Sequence, residues 1–123
     1  MPRNSLISII DDDAALRSSL ENLIRSVGLR VQCFSSAESF LSSNQLHEGG
    51  CLILDVRMPG MSGPELQRRL SGANSHTPII FITAHEDEAQ RTQTLEAGAV
   101  AFLYKPFYEE ELFNAIDAAL KHS

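Results

Sequence analysis

Apolar runs of strand length alternate with amphipathic segments along the whole chain. The runs are rich in β-branched and aromatic residues and cover residues 6–10, 30–34, 51–55, 78–83 and 99–104. The runs at 51–55 and 78–83 are almost continuously apolar, which is typical of central strands covered on both faces. Strands that alternate with helices form βαβ units, so the pattern predicts an α/β fold with a parallel sheet between helices.

Helical periodicity is strongest between the first two runs. Leu16, Leu20, Leu23 and Val27 share one face of a predicted helix, and Gly28 ends it. We therefore expect this face to pack against the sheet.

Two further helices are indicated by the spacing of a capping box. Ser35 with Glu38, and Ser62 with Glu65, each have the hydroxyl and the carboxylate three residues apart. The sequence therefore predicts helix starts at both places.

The last two predicted helices differ in their apolar surface. In the segment 86–96 only Ala89, Thr92 and Leu95 could face a core, so we expect a thinly packed helix that moves easily. The last helix has inward apolar positions at 112, 113, 116, 119 and 120. It begins with three glutamates and ends with Lys121 and His122, as the helix macrodipole favours.

Composition excludes several classes of function. The chain has 123 residues, which suits one domain, and 16 acidic against 10 basic residues give a net charge of −6. Nucleic-acid binding by this chain is not expected, because it requires a basic surface. No apolar stretch is long enough for a membrane span or a signal peptide, so we expect a cytoplasmic location without a membrane partner.

The cysteines and histidines point to no redox or zinc chemistry. Cys33 and Cys51 both lie in apolar runs and are predicted to be reduced core thiols. The spacing of the histidines at 47, 76, 85 and 122 is not that of a zinc site, and we expect most of them to be exposed.

Polar side chains gather where the predicted strands end. Three aspartates at 11–13 follow the first run, Asp55 ends the third, Thr83 ends the fourth and Lys105 follows the fifth. The carboxyl ends of parallel strands share one edge of the sheet, so these groups are expected to meet although they are distant in sequence.

Carboxylates this close repel each other unless a cation lies among them. Oxygen ligands favour Mg²⁺ or Ca²⁺, and sparse ligation that leaves room for water and a phosphate favours Mg²⁺. An aspartate can also attack phosphorus and form an aspartyl phosphate, which a cation and a hydroxyl would stabilise. The sequence therefore predicts phosphoryl transfer to an aspartate.

Each of these residues also has an ordinary structural interpretation. Asp13 is as consistent with a helix N-cap as with metal binding. Asp55, Thr83 and Lys105, taken singly, could be a turn residue, a strand residue and a surface lysine. The phosphoryl-transfer hypothesis depends on their occurrence together at successive strand ends.

Four motifs in order, "IIDDD", "LILDVRMPGMSG", "FITA" and "YKPF", resemble those of the response-regulator receiver domain of two-component signalling, in the CheY-like superfamily. The resemblance extends over essentially the whole chain, and "DVRMPGMSG" with "SAESFL" is most similar to receivers of the FixJ type. It implies a five-stranded, doubly wound (β/α)5 flavodoxin-like fold with strand order 2-1-3-4-5. It also implies that residues 1–123 form one receiver domain.

The resemblance implies a role for each matching residue. Asp55 corresponds to the phosphoacceptor, and Asp11 and Asp12 to the acidic pair that binds Mg²⁺ together with it. Thr83 corresponds to the switch hydroxyl and Lys105 to the lysine that pairs with the phosphate.

Further positions follow from the same resemblance. The backbone carbonyl of Arg57 corresponds to a metal ligand, and Phe102 to an aromatic switch residue that turns inward on phosphorylation. Asp13 occupies a neighbouring position that is sometimes acidic in the family. From its position alone, two residues past the switch threonine, His85 is expected to border the site as a modulator, as is Asp13. The Lys105–Pro106 bond is expected to be cis, which is essentially confined to X-Pro bonds.

The implied function is a phosphorylation switch. A sensor histidine kinase would donate the phosphoryl group, and the helix 86–96, the fifth strand and the last helix would form the responding face. That face would dimerise or contact an output module, such as a DNA-binding domain beyond residue 123 that regulates transcription. Because Arg57 and His85 would flank the path of attacking water, we expect them to slow hydrolysis of the phosphate.

Three other functions fit the sequence less well. A phosphohydrolase of the haloacid-dehalogenase type would need a second aspartate two residues past the nucleophile, where this chain has Arg57. A flavodoxin-like binding module would need a phosphate loop after the first strand, where this chain has acids. A receiver-like scaffold without phosphorylation would have no need of these residues.

Overall fold

The structure is a computed structural model that describes residues 5–43 and 50–121. Strands and helices alternate strictly within these ranges. They are β1 Leu6–Ile10, α1 Ala14–Arg25, β2 Arg30–Phe34, α2 Ala37–Leu41, β3 Gly50–Asp55, α3 Gly63–Gly72, β4 Ile79–Thr83, α4 Glu88–Glu96, β5 Ala101–Tyr104 and α5 Glu109–Lys121.

The five strands form one parallel sheet in the order β2-β1-β3-β4-β5. This confirms the predicted α/β class and the strand order. The order reverses between β1 and β3, which lie side by side with Ile10 next to Leu54. The carboxyl ends of these two strands therefore flank the crevice where open α/β sheets bind their ligands.

The sheet separates two apolar clusters, because successive strand side chains point to opposite faces. One cluster contains Ile7, Ile9, Ile53, Ile80 and Ile82 with the inward faces of α1 and α5. The other contains Ile10, Leu52, Leu54, Ile79 and Phe81 with residues of α2 and α3. Burial on both faces explains why the central strands read as continuous apolar runs.

The strand boundaries agree with the apolar runs except at three starts. β3 begins one residue earlier than predicted, at Gly50, and β4 and β5 begin later, at Ile79 and Ala101. Pro78 has no N–H to donate, and its carbonyl accepts from Leu52 N–H at 2.9 Å instead. Ala99 donates its N–H to the Thr94 carbonyl at 3.0 Å and so belongs to the turn that follows α4.

The first helix ends earlier than its apolar spacing predicted. Leu20 and Ile24 are its buried residues, and Val27 is 47% exposed because the helix stops at Arg25. Gly28 takes a φ of +89° in the turn that follows. The prediction that Val27 faces the core is therefore wrong, and the prediction that Gly28 marks the end is confirmed.

One predicted capping box is wrong and the other is confirmed in part. Ser36, not Ser35, caps α2 by accepting from Ser39 N–H at 3.0 Å, so Glu38 lies one residue too early to complete the box. Ser62 caps α3 as predicted, by accepting from Glu65 N–H at 3.2 Å.

Helix α4 is held by few buried side chains. Its only buried residue among positions 88–96 is Thr94, whereas Ala89 and Thr92 are exposed and Leu95 is half-buried. The prediction of thin packing is confirmed, but two of the three residues assigned to it are wrong. The helix also begins at Glu88 rather than 86, because the Asp87 carboxylate caps it by accepting from Gln90 N–H at 3.0 Å.

Helix α5 agrees with its predicted inward face. Phe113 is half-buried, and the buried residues are Leu112, Ala115, Ile116, Ala119 and Leu120. His122 and His47 lie outside the described residues. Among the residues that are described, no helix is both long enough and apolar enough to cross a bilayer.

Gly63 begins α3 in close contact with the strand that carries Asp55. A Cβ on Gly63 would collide with the backbone oxygen of Asp55 and lie 3.0 Å from the Phe81 ring. Gly63 N–H also donates to Val56 at 3.0 Å. The start of this helix therefore fits against the sheet only without a side chain.

Both cysteines are free thiols, as predicted. Cys51 is buried, and burial raises the pKa of its thiol to about 12. Cys33 is half-buried and packs against the cluster that contains the inward faces of α1 and α5, so it lies at the edge of the core.

Candidate functional site

Three carboxylates converge at the carboxyl edge of the sheet. Asp11 and Asp12 follow β1, Asp55 ends β3, and one oxygen from each lies within 4.8 Å of the other two. Asp11 is fully buried and Asp55 is 7% exposed, whereas Asp12 is exposed. The predicted meeting of these acids is therefore what the fold produces.

Asp11 is the most thoroughly hydrogen-bonded of the three. Its Oδ1 accepts from Asp13 N–H at 2.9 Å, and its Oδ2 accepts from the Lys105 ammonium at 3.1 Å. The same ammonium lies 3.9 Å from Asp55 Oδ2. A buried carboxylate is tolerated when it is paired and hydrogen-bonded in this way.

The surroundings of Asp55 change the pKa of its carboxyl group. Burial, and next the neighbouring Asp11 carboxylate, raise the pKa of Asp55 to about 7, while Lys105 and the Arg57 N–H act in the opposite direction. A cation bound beside this carboxyl group would favour its ionised form and so lower the pKa of Asp55 again. A donor set made of carboxylate oxygens fits a hard divalent cation such as Mg²⁺ or Ca²⁺.

Thr83 lies at the same edge, at the end of β4, with 2% of its surface exposed. Its Oγ1 accepts from His85 N–H at 3.2 Å, and its carbonyl accepts from Lys105 N–H at 2.7 Å. The backbone thus ties the predicted switch hydroxyl directly to the predicted phosphate-pairing lysine. The side chain of His85 is exposed.

Phe102 is already buried in this structure. The ring is 8% exposed, and its centroid lies 6.2 Å from that of Phe81 and 5.5 Å from that of Tyr104. The ring thus occupies the inward position, and the switch role of Phe102 stays a prediction. The inward position follows from the apolar contacts that the ring makes in the cluster beneath β4.

Asp13 acts as a helix cap. Its Oδ1 accepts from the N–H groups of Ala15 and Leu16 at 3.0 and 3.2 Å, which fixes the first turn of α1. An N-terminal cap of this kind stabilises a helix by about 1 kcal/mol. Of the two interpretations left open for Asp13, the structure shows the cap.

The end of β5 and the segment that follows it have the expected cis peptide bond and one contact that was not predicted. The Lys105–Pro106 bond is cis, as predicted. Tyr108 is 80% exposed, whereas Tyr104 is half-buried and donates its hydroxyl to Glu88 Oε1 at 3.1 Å. Tyr104 therefore ties β5 to the first turn of α4.

Three side chains that the sequence did not assign to the site make contacts to the backbone around the site or to α4. Arg17 donates to the Asp11 carbonyl at 2.7 Å, Glu38 accepts from Met61 N–H at 3.2 Å, and Gln67 donates to the Thr94 carbonyl at 3.0 Å. For Arg17 a signal existed, since it lies one helical turn past the Asp13 cap. The contacts of Glu38 and Gln67 span 23 and 27 residues, and no local pattern encodes them.

This fold and this edge define a flavodoxin-like α/β protein of the CheY class, with a carboxylate-rich site at the point where the strand order reverses. Residues 7–117 match the family described as the response regulator receiver domain, and the chain belongs to that family.

Individual relatives support the same assignment. The response regulator protein TodT of Pseudomonas putida is 53% identical over 119 residues, which are 97% of this chain and 52% of TodT. The transcriptional regulatory protein FixJ of Bradyrhizobium diazoefficiens is 40% identical over 117 residues, 95% of this chain and 57% of that protein. The chain thus spans about half the length of the curated relatives it matches.

A solved structure agrees with the fold throughout. The crystal structure of FixJ-N superposes with a TM-score of 0.91 at 36% identity and covers 100% of this chain and 98% of that one. The predicted similarity to receivers of the FixJ type is confirmed.

Proposed function

We propose that the chain is a phosphorylation-activated signalling switch, in which Asp55 accepts a phosphoryl group from a partner histidine kinase in the presence of Mg²⁺. The observation that supports this best is the position of Asp55, buried beside Asp11 and within 3.9 Å of the Lys105 ammonium. An acid that has a raised pKa and a specific charge partner, and that lies in the ligand crevice of such a sheet, is a candidate functional residue.

The residues suited to hold Mg²⁺ are the three carboxylates at the edge and the backbone carbonyl of Arg57. Asp12 is the exposed member, and it can change its contacts at little cost. When bound, Mg²⁺ neutralises charge on the phosphoryl oxygens during transfer. Binding also favours the ionised form of Asp55, which is the nucleophilic form.

The transfer forms one bond and breaks one. An Asp55 carboxylate oxygen forms the bond to phosphorus, and the bond from phosphorus to the imidazole nitrogen of the donor phosphohistidine breaks. The imidazole leaves with the electron pair and takes up a proton. Lys105 then has an anion to pair with in addition to Asp11, which offsets the charge that the phosphate adds.

The phosphate would alter the face formed by α4, β5 and α5. Thr83 can turn its hydroxyl hydrogen toward a phosphate oxygen at the same edge, and α4 beyond it has a single buried residue among positions 88–96. A coupling of about 1–3 kcal/mol shifts the populations of two such states by roughly 5- to 150-fold. This face would then mediate dimerisation, or contact with a transcriptional output domain beyond residue 123.

Turnover of a diffusible substrate is no part of this proposal, which covers only the formation and loss of the chain's own phosphate in the cytoplasm. An apolar groove of about 450 Å³ opens beside Lys105, lined by Leu16, Leu20, Ala84, Pro106 and Phe107. Apolar surface beside Lys105 supports a protein donor over a small molecule. Arg57 and His85, both exposed, would slow the approach of water, so replacing either with alanine should shorten the phosphate's lifetime.

Incubation with acetyl phosphate and Mg²⁺, followed by intact-mass measurement, tests the proposal. We expect the mass of one phosphoryl group to appear in the wild type, to require Mg²⁺, and to be absent from Asp55→Asn. Sizing of the same samples would show whether phosphorylation changes the oligomeric state. Steady release of inorganic phosphate from many phosphomonoesters, or no mass change under any condition, would support a hydrolase or a scaffold instead.

A further inference from the structure

Arg17 is the one cation of α1 that reaches the turn carrying the acidic pair. Its Nη1 donates to the backbone carbonyl of Asp11 at 2.7 Å. The side chain is half-buried, and its own N–H donates to the Asp13 carbonyl at 3.0 Å in the first turn of the helix. A charged donor at this distance makes a strong, directional hydrogen bond.

This contact completes the fixation of the Asp11 main chain. On its amino side, Asp11 N–H donates to the Phe34 carbonyl of β2 at 3.1 Å. On its carboxyl side, the carbonyl is held by Arg17. With the carboxylate bonded to Lys105 and to the N–H of Asp13, little freedom remains at this residue.

The peptide plane between Asp11 and Asp12 sets the direction in which the side chain of Asp12 leaves the backbone. The Asp11 carbonyl and the Asp12 N–H lie in that one plane, so a bond to the carbonyl also orients the start of Asp12. Asp12 is exposed and has fewer packing contacts of its own to hold it than its two buried partners. The direction of its carboxylate therefore depends on what anchors the plane.

We propose that Arg17 is a positioning residue that holds the peptide between Asp11 and Asp12 so that the Asp12 carboxylate faces the metal site. The inference rests on the proposed Mg²⁺ site and deepens it. It gives Arg17 an effect opposite in sign to that of its charge, because a nearby cation by itself repels Mg²⁺. Residues that orient metal ligands change affinity by roughly 10–100-fold when they are replaced.

The sign of the effect provides the test. In a calorimetric titration with Mg²⁺, Arg17→Met should bind roughly tenfold more weakly than the wild type, although it has lost a repelling charge. Arg17→Lys, which keeps the charge and one donor, should recover part of the affinity. Tighter binding by Arg17→Met, or equal binding by all three proteins, would overturn the inference.

Arg25 offers a matched control on the same helix. It donates to the Val31 carbonyl at 3.2 Å and pairs with Glu21 at 2.8 Å, away from the acidic turn. Arg25→Met removes the same charge and also a bond to a strand carbonyl, so it should leave Mg²⁺ affinity within about twofold of the wild type. An equal loss of affinity in both methionine variants would show a general effect of charge or stability and would overturn the inference.

Two further measurements separate the possible failures. Urea unfolding without Mg²⁺ should show that Arg17→Lys is folded, so that a change in its affinity reports on the site. Absence of Mg²⁺ binding by the wild type would overturn the proposed metal site and this inference with it. Binding by the wild type with no response to Arg17 substitutions would overturn the inference alone.

Discussion

The Lys105 ammonium is bonded to Asp11 rather than to the proposed phosphoacceptor. It lies 3.1 Å from Asp11 Oδ2 and 3.9 Å from Asp55 Oδ2. Without metal, this lysine therefore supplies the positive charge that the buried acids require. On phosphorylation the same charge would be drawn toward a new anion on Asp55.

Lys105→Met should increase the affinity for Mg²⁺, by roughly tenfold, because a cation within 4 Å of two proposed ligands no longer competes with the metal. In the same variant, phosphorylation of Asp55 should cause a smaller change in the face formed by α4, β5 and α5. Calorimetric titration with Mg²⁺ measures the first effect. Lys121→Met is the control, since Lys121 is exposed and pairs with Asp117 at 3.1 Å on α5. Weaker Mg²⁺ binding by Lys105→Met would contradict the competition between lysine and metal.

The raised pKa of Asp55 predicts a dependence of stability on pH. Its folded-state pKa of about 7 exceeds the ordinary value of 3.8. Between these values the folded protein binds a proton that the unfolded chain has released. In the absence of metal, the contribution of Asp55 to stability is therefore fully present below pH 3.8 and is lost as pH rises from there through about 7.

Asp55→Asn removes this loss. We expect the metal-free variant to be more stable than the metal-free wild type at pH 8, by roughly 2–4 kcal/mol, and the difference to vanish near pH 4. At pH 8, Mg²⁺ should raise the free energy of unfolding of the wild type more than that of the variant, because it binds the ionised carboxylate. Urea unfolding at both pH values, with and without Mg²⁺, measures the differences. A gap that does not depend on pH would contradict the pKa.

The hydrogen bond between Gln67 and Thr94 predicts a local effect on α4. Gln67 is buried on α3, and its Nε2 donates to the Thr94 carbonyl at 3.0 Å. Gln67→Met removes this bond and leaves the Thr94 carbonyl with the N–H of Ala99 as its donor, so we expect a loss of roughly 0.5–1.5 kcal/mol in the free energy of unfolding. Amide exchange should accelerate most in the last turn of α4.

Gln93 provides the control for this change. It is exposed on α4 itself, so Gln93→Met should change neither stability nor exchange by much. Hydrogen exchange followed by mass spectrometry compares the two variants. Faster exchange spread evenly over the chain in Gln67→Met would argue that the bond supports the fold as a whole rather than α4.

The loop after β3 contains a glycine whose substitution should be costly for two reasons. Gly60 has a φ of +78°, and a Cβ there would lie 2.6 Å from Glu38 Oε2. Gly28 has a φ of +89° with nothing within 4 Å of its Cβ position. Gly28→Ala should therefore cost about 1 kcal/mol from backbone strain alone, and Gly60→Ala about 1 kcal/mol more.

A double substitution separates the two costs. In a Glu38→Ala background, Gly60→Ala should lose its extra cost and approach Gly28→Ala, because the opposing carboxylate is gone. Thermal unfolding of the four variants provides the comparison. If Gly60→Ala costs the same with and without Glu38, the carboxylate simply moves aside.

The sequence predicted the fold well because its signals are local and repeated. Buried strands such as Ile79–Thr83 are apolar on both faces, and the start of α3 is marked by a hydroxyl three residues before a glutamate. Alternation of strands and helices then requires a parallel sheet with its carboxyl ends on one edge. The convergence of Asp11, Asp12 and Asp55 follows from topology without any knowledge of side-chain contacts.

What the sequence did not predict depends on competition between neighbours. Ser35 and Ser36 are both good caps, and only the backbone of the turn decides between them. Thr94 is buried rather than Thr92, and the bond from Gln67 of another helix to the Thr94 carbonyl has no local signal.

The missing side chain of Gly63 has a mechanical consequence. Because only hydrogen separates the first residue of α3 from the backbone of Asp55, nothing compressible lies between the acceptor strand and the helix. A shift of the main chain at Asp55 would therefore displace the start of α3 directly, and the helix would move as a rigid unit. Gln67 lies one turn further along α3 and donates its hydrogen bond to Thr94 in the last turn of α4, so the displacement would reach that helix.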